Sequence, residues 1–265
     1  MILPSLISDP NFQKIPITPN LQLAYEYIPG KNPGIIYLGG FHSCMTGIKA
    51  SSLRNFCAEQ GQQFLRFDYR GHGLSEGDIA EFSIAEWLND CLFLLDRLTT
   101  GPQILVGSSM GGWLMTLMGL FRPQRIIAHV GLAAAPDFTE KLILPSLSAP
   151  QKQALQQKGT TVIHSPYNPT PYPISTYFLE ESRRFLILGN GKLSPLQHPL
   201  WLFHGLLDQE VPWQLSFDIL QQTTNPRSHL TIIKDGDHRL SQPHHVSLWL
   251  EAVAILIHKS SSPSR

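Results

Sequence analysis

From Gln103 to Phe121 the chain reads QILVGSSMGGWLMTLMGLF, and Pro123 follows. The strand-like opening QILV is β-rich, and the stretch from Met110 is apolar at every position but Thr116 and three glycines and too long for an ordinary strand. Only a few residues separate the two, so the chain must turn sharply from strand to helix. Gly107-Ser108-Ser109-Met110-Gly111 fills that turn as G-x-S-x-G. The flanking glycines are needed because neighbouring Cβ atoms would clash there, and Ser109, centred between them, is held in strained backbone geometry. Ser109 is therefore the predicted nucleophile and Ser108 the weaker candidate. Because Ser109 opens a helix, free N–H groups and the helix dipole favour negative charge beside it, and Met110 N–H is one predicted oxyanion donor.

The remaining chain supplies the setting such a turn needs. Short apolar runs alternate with helical patterns, the signature of βαβ units around a mostly parallel sheet with helices on both faces, an α/β fold. QLAYEYI near Gln22 reads as a hairpin strand, GIIYLGG from Gly34 as a buried strand and QFLRFDYRG as the next. Helices are predicted over Gly47–Glu59 and Ser83–Leu98, the second opened by Ser83 and Glu86 at capping-box spacing. RIIAHVGLAAA from Arg125 is another strand. From about 136 to 195 the composition turns to Pro, Gln, Ser, Thr and Tyr, with helix-like pieces near Gln151 and Ser175, which reads as an inserted cap within a single domain spanning 1–265. PLWLFHGLLD, a helix over Trp213–Gln222, HLTIIKDGDHRL and a helix from about Gln242 to His258 complete the core. The tail KSSSPSR reads as disordered. The sequence contains no internal repeat.

Composition narrows the chemistry by exclusion. Lys+Arg and Asp+Glu are equal at 20 each, so no basic footprint points to nucleic acid. Cys44, Cys57 and Cys91 are odd in number and lack metal-ligand spacing, which argues against a disulfide framework and a zinc site. Cys44 is expected to be a small buried hydrophobe rather than a second nucleophile. No run of about eighteen apolar residues suggests a membrane span, and MILPSLISDPNF lacks a signal peptide's basic and apolar regions. A cytoplasmic location is the resulting expectation.

A serine hydroxyl is a weak nucleophile at neutral pH, so Ser109 calls for a histidine base and an acid to fix that histidine's tautomer. In chain order the acid and base should follow the nucleophile. Among eleven histidines, His238 in the loop Asp235-Gly236-Asp237-His238-Arg239 after the last strand meets that order. His204 lies within a strand and suits a packed core position, and His244 and His245 at the last helix suit solvated ones. Asp208, just past the strand WLFHG, is the best-placed acid, with Asp137 as its rival; Asp235 and Asp237 are too near His238 to reach its Nδ1. Gly39 and Gly40 allow close backbone approach after the strand IIYL, which makes Phe41 N–H the second predicted oxyanion donor. In Phe67-Asp68-Tyr69-Arg70-Gly71-His72-Gly73, Asp68 and Arg70 are expected to be structural, and His72 to hydrogen-bond within the loop or touch substrate.

Taken together, GGFHSCMTGIKA, RFDYRGHGLSEGD, GPQILVGSSMGGWLM, HGLLDQEVPW and DGDHRL resemble, in order and spacing, the small α/β-hydrolases related to the mitochondrial acyl-protein thioesterase that also cleaves acyl glucuronides. The resemblance covers most of the chain, the cap included. It implies the α/β-hydrolase fold and hydrolysis of S-acyl thioesters or carboxylic esters, on small-molecule or acylated-protein substrates, with Ser109, Asp208 and His238 at the family's triad positions and no metal or organic cofactor. Two departures stand out: MILPSLISDPNF does not read as a targeting peptide, so the relatives' mitochondrial address is not expected here, and the loop reads GGFHS where relatives carry a proline and a tyrosine. Fold and triad do not choose the bond cleaved, so peptidase or carbon–carbon bond hydrolysis, or a receptor built on an inactive hydrolase, remain alternatives.

Overall fold

The structure, a computed structural model, describes residues 11–165, 168–189, 191–193 and 195–261. The chain opens with β1 (Gln13–Thr18), β2 (Leu21–Ile28) and β3 (Lys31–Leu38), followed by α1 (Ile48–Gln60) and β4 (Gln62–Phe67). It continues through α2 (Ile84–Leu98), β5 (Gln103–Ser108), α3 (Met110–Phe121) and β6 (Ile126–Leu132). After a long excursion come β9 (Leu200–Gly205), α7 (Gln214–Gln222), β10 (His229–Ile233) and α8 (Pro243–Ser261). Eight strands form one sheet in the order β1-β2-β4-β3-β5-β6-β9-β10. Only the β1–β2 and β2–β4 pairings are antiparallel. The strand order reverses between β3 and β5, so the loops leaving their carboxyl ends part there and open a crevice. Those loops carry Gly39–Phe41 and Ser109.

Alternation along the strands explains how one sheet builds two cores. In β3, Ile35 and Tyr37 face α1 and α8 with Leu53, Cys57 and Trp249, while Ile36 and Leu38 face α2 and α3 with Trp87, Leu94 and Trp113. Ile104 and Val106 of β5 divide from Leu105 in the same way. Every residue of β4 and β5 is buried, as a central strand covered on both faces must be. Helix boundaries follow local chemistry: Ser83 and Glu86 close the predicted capping box on α2, and Gly61, at φ 64°, ends α1 by donating to the Ala58 and Cys57 carbonyls.

The buried arginines are paired with carboxylates. Glu26 accepts from Arg54 at 3.1 Å and from Arg66 at 2.7 Å, and Arg70 grips Asp90. Arg66 also donates to the Met45 carbonyl at 2.8 Å, and Met45 N–H donates to Asp68 at 2.6 Å. The loop after β3 is thus held at both backbone groups of one residue. Asp68 and Arg70 are structural in this sense, and burial raises the carboxyl of Asp68.

Between β6 and β9 the chain leaves the sheet through a π-helical turn (Thr139–Ile143), α4 (Leu144–Ser146), α5 (Ala149–Lys158), the hairpin β7 (Thr160–Ser165) and β8 (Asn168–Ser175), and α6 (Thr176–Ser182). The helical pieces near Gln151 and Ser175 are present, while the hairpin was not anticipated. β8 carries prolines at 169, 171 and 173, a spacing that discourages a strand reading. Pro171 and Pro173 are two residues apart, so in a regular strand their missing N–H groups fall on the same edge, and the register shifts before Pro169 is reached. The excursion is tied to the core by Trp113 Nε1–H to the Phe185 carbonyl (2.9 Å) and Tyr177 O–H to Glu86 (2.6 Å). At the other end of the chain, the expected break near His258 is absent, since α8 runs on to Ser261; the last four tail residues lie outside the described ones. No described helix is long and apolar enough to cross a membrane.

Candidate active site

Ser109 sits at φ 53°, ψ −118°, a conformation L residues avoid. Three backbone bonds hold it there: its N–H donates to Leu132 O at 3.0 Å, and its carbonyl accepts from Gly112 N–H at 2.9 Å and Ala135 N–H at 3.0 Å. Both flanking glycines are sterically required. A Cβ on Gly107 would overlap the Gly111 carbonyl, and one on Gly111 would overlap the carbonyls of Leu38 and Gly39. Met110 is the first residue of α3, where an α-helix leaves N–H groups without an intrahelical acceptor.

His238 reaches Ser109 from the loop after β10, across 129 residues of chain. Its Nε2 lies 3.1 Å from Ser109 Oγ and its Nδ1 lies 2.8 Å from Asp208 Oδ2. With Nδ1–H donated to the carboxylate, Nε2 is left as the acceptor facing the serine. The Asp208 side chain is fully buried and both oxygens are used: Oδ1 accepts the N–H groups of Glu210 and Val211, both at 2.9 Å, and Oδ2 also meets His204 Nε2 at 3.1 Å. Burial alone would raise this carboxyl, but the hydrogen bonds from His204 and His238 outweigh it and hold Asp208 well below the usual carboxylate range. His204 is itself a fully buried core residue. It donates Nε2–H to the Val211 carbonyl (2.9 Å) and accepts at Nδ1 from Ser216 O–H (2.7 Å).

Asp137, the rival acid, is placed elsewhere. At φ 57° it turns the chain out of the sheet and accepts from Ile187 N–H (2.9 Å) and Leu188 N–H (2.8 Å), closing the base of the excursion. Asp237 caps its own loop through the N–H groups of Arg239 and Leu240. Asp235 accepts from His244 (2.7 Å) and His245 (3.2 Å) instead of His238. His244 is exposed as expected, but His245 is only 1% exposed, because the start of α8 packs down on the sheet. Cys44 also departs from expectation: it is half-buried and pairs with Thr46 Oγ1 at 3.1 Å.

The loop after β3 presses its backbone against Ser109. A Cβ on Gly40 would stand 3.3 Å from Ser109 Cβ, and Tyr69 O–H holds the Gly39 carbonyl at 3.0 Å. Phe41 follows, surrounded by six rings with centroids 4.5–6.3 Å away, among them Trp87, Phe138 and Phe178 from the core and excursion and Tyr172 from β8. His42 stacks on Tyr172 at 4.2 Å. His72 is buried behind them, bonded through Nδ1 to the Arg70 carbonyl at 3.3 Å, and does not line the cavity; desolvation lowers its imidazole to about 4. A cavity of about 990 Å³ opens over Ser109 and His238. Apolar residues of the excursion such as Phe138, Leu142, Ile143 and Ile163 line it on one side, and Glu210, Lys49 and Arg239 are also in its wall. Lys49 donates to the Arg239 carbonyl at 2.7 Å, and desolvation brings its ammonium down to about 8 against the pull of Asp237, Asp208 and Glu210. Glu210, Ser165 and Lys49 carried no motif that marked them beforehand.

Residues 37–162 match the family described as the α/β hydrolase fold. The mouse protein named mitochondrial palmitoyl-protein thioesterase ABHD10 is 38% identical over 243 residues, 91% of this chain and 80% of its own length. The structure of mouse α/β-hydrolase domain-containing protein 10 superposes with a TM-score of 0.85 at 34% identity, over 94% of this chain and 99% of that one. Est1E from Butyrivibrio proteoclasticus shares the fold at 19% identity and a TM-score of 0.72, over 95% and 99% of the two chains. The palmitoyl-protein thioesterase relatives overturn the cytoplasmic expectation, which rested on the unpaired cysteines and on reading neither a signal peptide nor a membrane span; the mouse protein carries a mitochondrial designation. From this identity over nearly the whole chain and the matching fold, the chain belongs to the α/β-hydrolase family that includes the ABHD10 thioesterases.

Proposed function

We propose that this protein is a serine hydrolase that cleaves S-acyl thioesters or carboxylic esters through an acyl-enzyme on Ser109. The observation that carries the reading is the continuous chain from Ser109 Oγ through His238 (3.1 Å) to buried Asp208 (2.8 Å), opening into a cavity with apolar walls. His238 Nε2 takes the Ser109 proton as Oγ attacks the acyl carbon, and the N–H groups of Met110 and Phe41 hold the oxyanion. The proton then passes from Nε2 to the departing thiolate or alkoxide. In the second half, Nε2 activates water, which releases the carboxylic acid and restores Ser109. Asp208 stays ionised throughout and fixes the tautomer that leaves Nε2 free.

The excursion over about 136–195 acts as a cap on a single domain, supplying Phe138, Leu142 and Ile143 as walls for the acyl chain. The mouse relative's name supports an acylated protein as one substrate class, and a small acyl ester fits the same chemistry. The decisive experiment compares wild type with Ser109→Ala on p-nitrophenyl esters and acyl thioesters of graded chain length, together with fluorophosphonate labelling. Wild type should turn over and be labelled at Ser109, while the variant does neither. A Ser109→Ala protein with full esterase activity would sink the mechanism.

A further inference from the structure

The imidazole of His238 has a second carboxylate beside it. Glu210 places Oε2 3.4 Å from Nε2, the same ring atom that faces Ser109 Oγ. The position of Glu210 is built from two directions. Its backbone N–H is bound to Asp208 Oδ1 at 2.9 Å, and its Oε1 accepts the hydroxyl of Ser165 at the end of β7. Lys49, reaching the same loops from α1, spends a donor on the Arg239 carbonyl at 2.7 Å.

The neutral imidazole gains nothing from this carboxylate. With Nδ1–H on Asp208, Nε2 offers a lone pair, and a carboxylate oxygen facing it is repulsive. Once Nε2 has accepted the Ser109 proton, the ring is a cation with an N–H available to Oε2, and the contact becomes attractive. An interaction that improves only as the proton moves lowers the barrier rather than tightening substrate binding. Resting on the triad reading above, we infer that Glu210 is a positioning residue for the triad histidine. It stabilises the imidazolium formed as Ser109 attacks, and Ser165 of the inserted hairpin holds its carboxylate in place. Glu210 itself takes up no proton; the only transfer is from Ser109 Oγ to His238 Nε2.

Glu210→Gln keeps the shape and removes the charge. Because the side chain is 25% exposed, solvent screens the pair, and the expected loss in kcat on a p-nitrophenyl ester is about tenfold. KM should stay within about twofold, and the second-order rate of fluorophosphonate labelling should fall by the same factor as kcat, since the probe also needs the imidazole as base. Ser165→Ala should lower kcat less, and should add nothing in the Glu210→Gln background. Glu210→Asp, which retains the charge, should exceed Glu210→Gln in kcat at equal thermal stability; if Glu210→Gln does not fold, Glu210→Asp and Ser165→Ala carry the test through the labelling rate. Unchanged or faster kcat and labelling in Glu210→Gln overturns the inference, as does a loss confined to KM, equal losses in the Asp and Gln variants, or, where Gln does not fold, wild-type labelling in both remaining variants. These results leave the triad standing if wild type is active and Ser109→Ala is dead. A wild type that fails to label removes the triad reading itself.

Discussion

Asp208→Asn is the sharpest test of how the site is wired, because the replacement is nearly isosteric and the structure dictates its orientation. The N–H groups of Glu210 and Val211 both point at Oδ1 from 2.9 Å, so the amide oxygen must occupy that position. The amide NH2 then faces His238 Nδ1, which becomes an acceptor and moves the ring proton to Nε2, the atom that must receive the Ser109 proton. A histidine in that tautomer is no base for the serine. The expected fall in kcat is about 10⁴-fold, close to 5.4 kcal/mol of transition-state stabilisation, with KM little changed. Stability should fall far less: His204 Nε2–H loses Asp208 but keeps the Val211 carbonyl at 2.9 Å, so about 1–2 kcal/mol is at stake. The assay is steady-state hydrolysis of a p-nitrophenyl ester beside urea unfolding of the same preparation. A variant retaining kcat within tenfold of wild type would refute the reasoning. So would a comparable loss of kcat in folded Asp137→Asn, whose carboxylate accepts the N–H groups of Ile187 and Leu188 and should affect stability alone.

Gly111→Ala should prevent folding or cost more than about 3 kcal/mol, since the new methyl would meet two carbonyls of β3 and its loop; a soluble variant with native unfolding midpoint would contradict the close approach. Phe41→Ala should move the chain-length optimum of kcat/KM toward longer acyl groups by opening the wall toward Trp87 and Phe178, and should cost about 2–3 kcal/mol of stability; an unchanged optimum across acetyl to palmitoyl esters would count against it. Stability should also fall with acidification. His72 and His129 have imidazoles lowered by desolvation from 6.5 to about 4 and about 3, so between those values and 6.5 the unfolded chain binds protons that the folded one does not, and stability rises with pH across that window. From pH 7.5 to 5.5 the loss is about 1.3 kcal/mol per imidazole; a folded His129→Leu variant should lose less over the same interval, and an identical pH dependence in both proteins would rule this origin out.

What the sequence makes legible is what local sterics decide. The turn at Gly107–Gly111 can be read because clashes within five residues and the strand before them leave one geometry. The sheet is equally readable, since β3 and β5 carry their two-faced burial in the pattern of their own side chains. His238 follows from chain order, and position after a strand favours Asp208 over Asp137, whereas the contacts themselves, Asp208 on His238 and Asp137 on the Ile187 backbone, depend on how the loops pack. The β7–β8 hairpin is hidden by its prolines, whose meaning depends on which edge of the ribbon is paired. Glu210 and Ser165 lie 45 residues apart, and no local rule joins them.

Asp208 links the two kinds of information. Its Oδ1 winds the turn from 208 to 211 by binding the N–H groups of Glu210 and Val211, while its Oδ2 orients His238. The carboxylate that contacts His238 Nδ1 is therefore also the one that places Glu210 beside Nε2, so the two acidic residues are coupled through a single turn. On the proposed mechanism, removing the Asp208 charge should abolish the base that Glu210 assists, so Glu210→Gln should cost almost nothing further in an Asp208→Asn background. Full additivity of the two losses in kcat would mean that Glu210 acts on the reaction by some route other than His238.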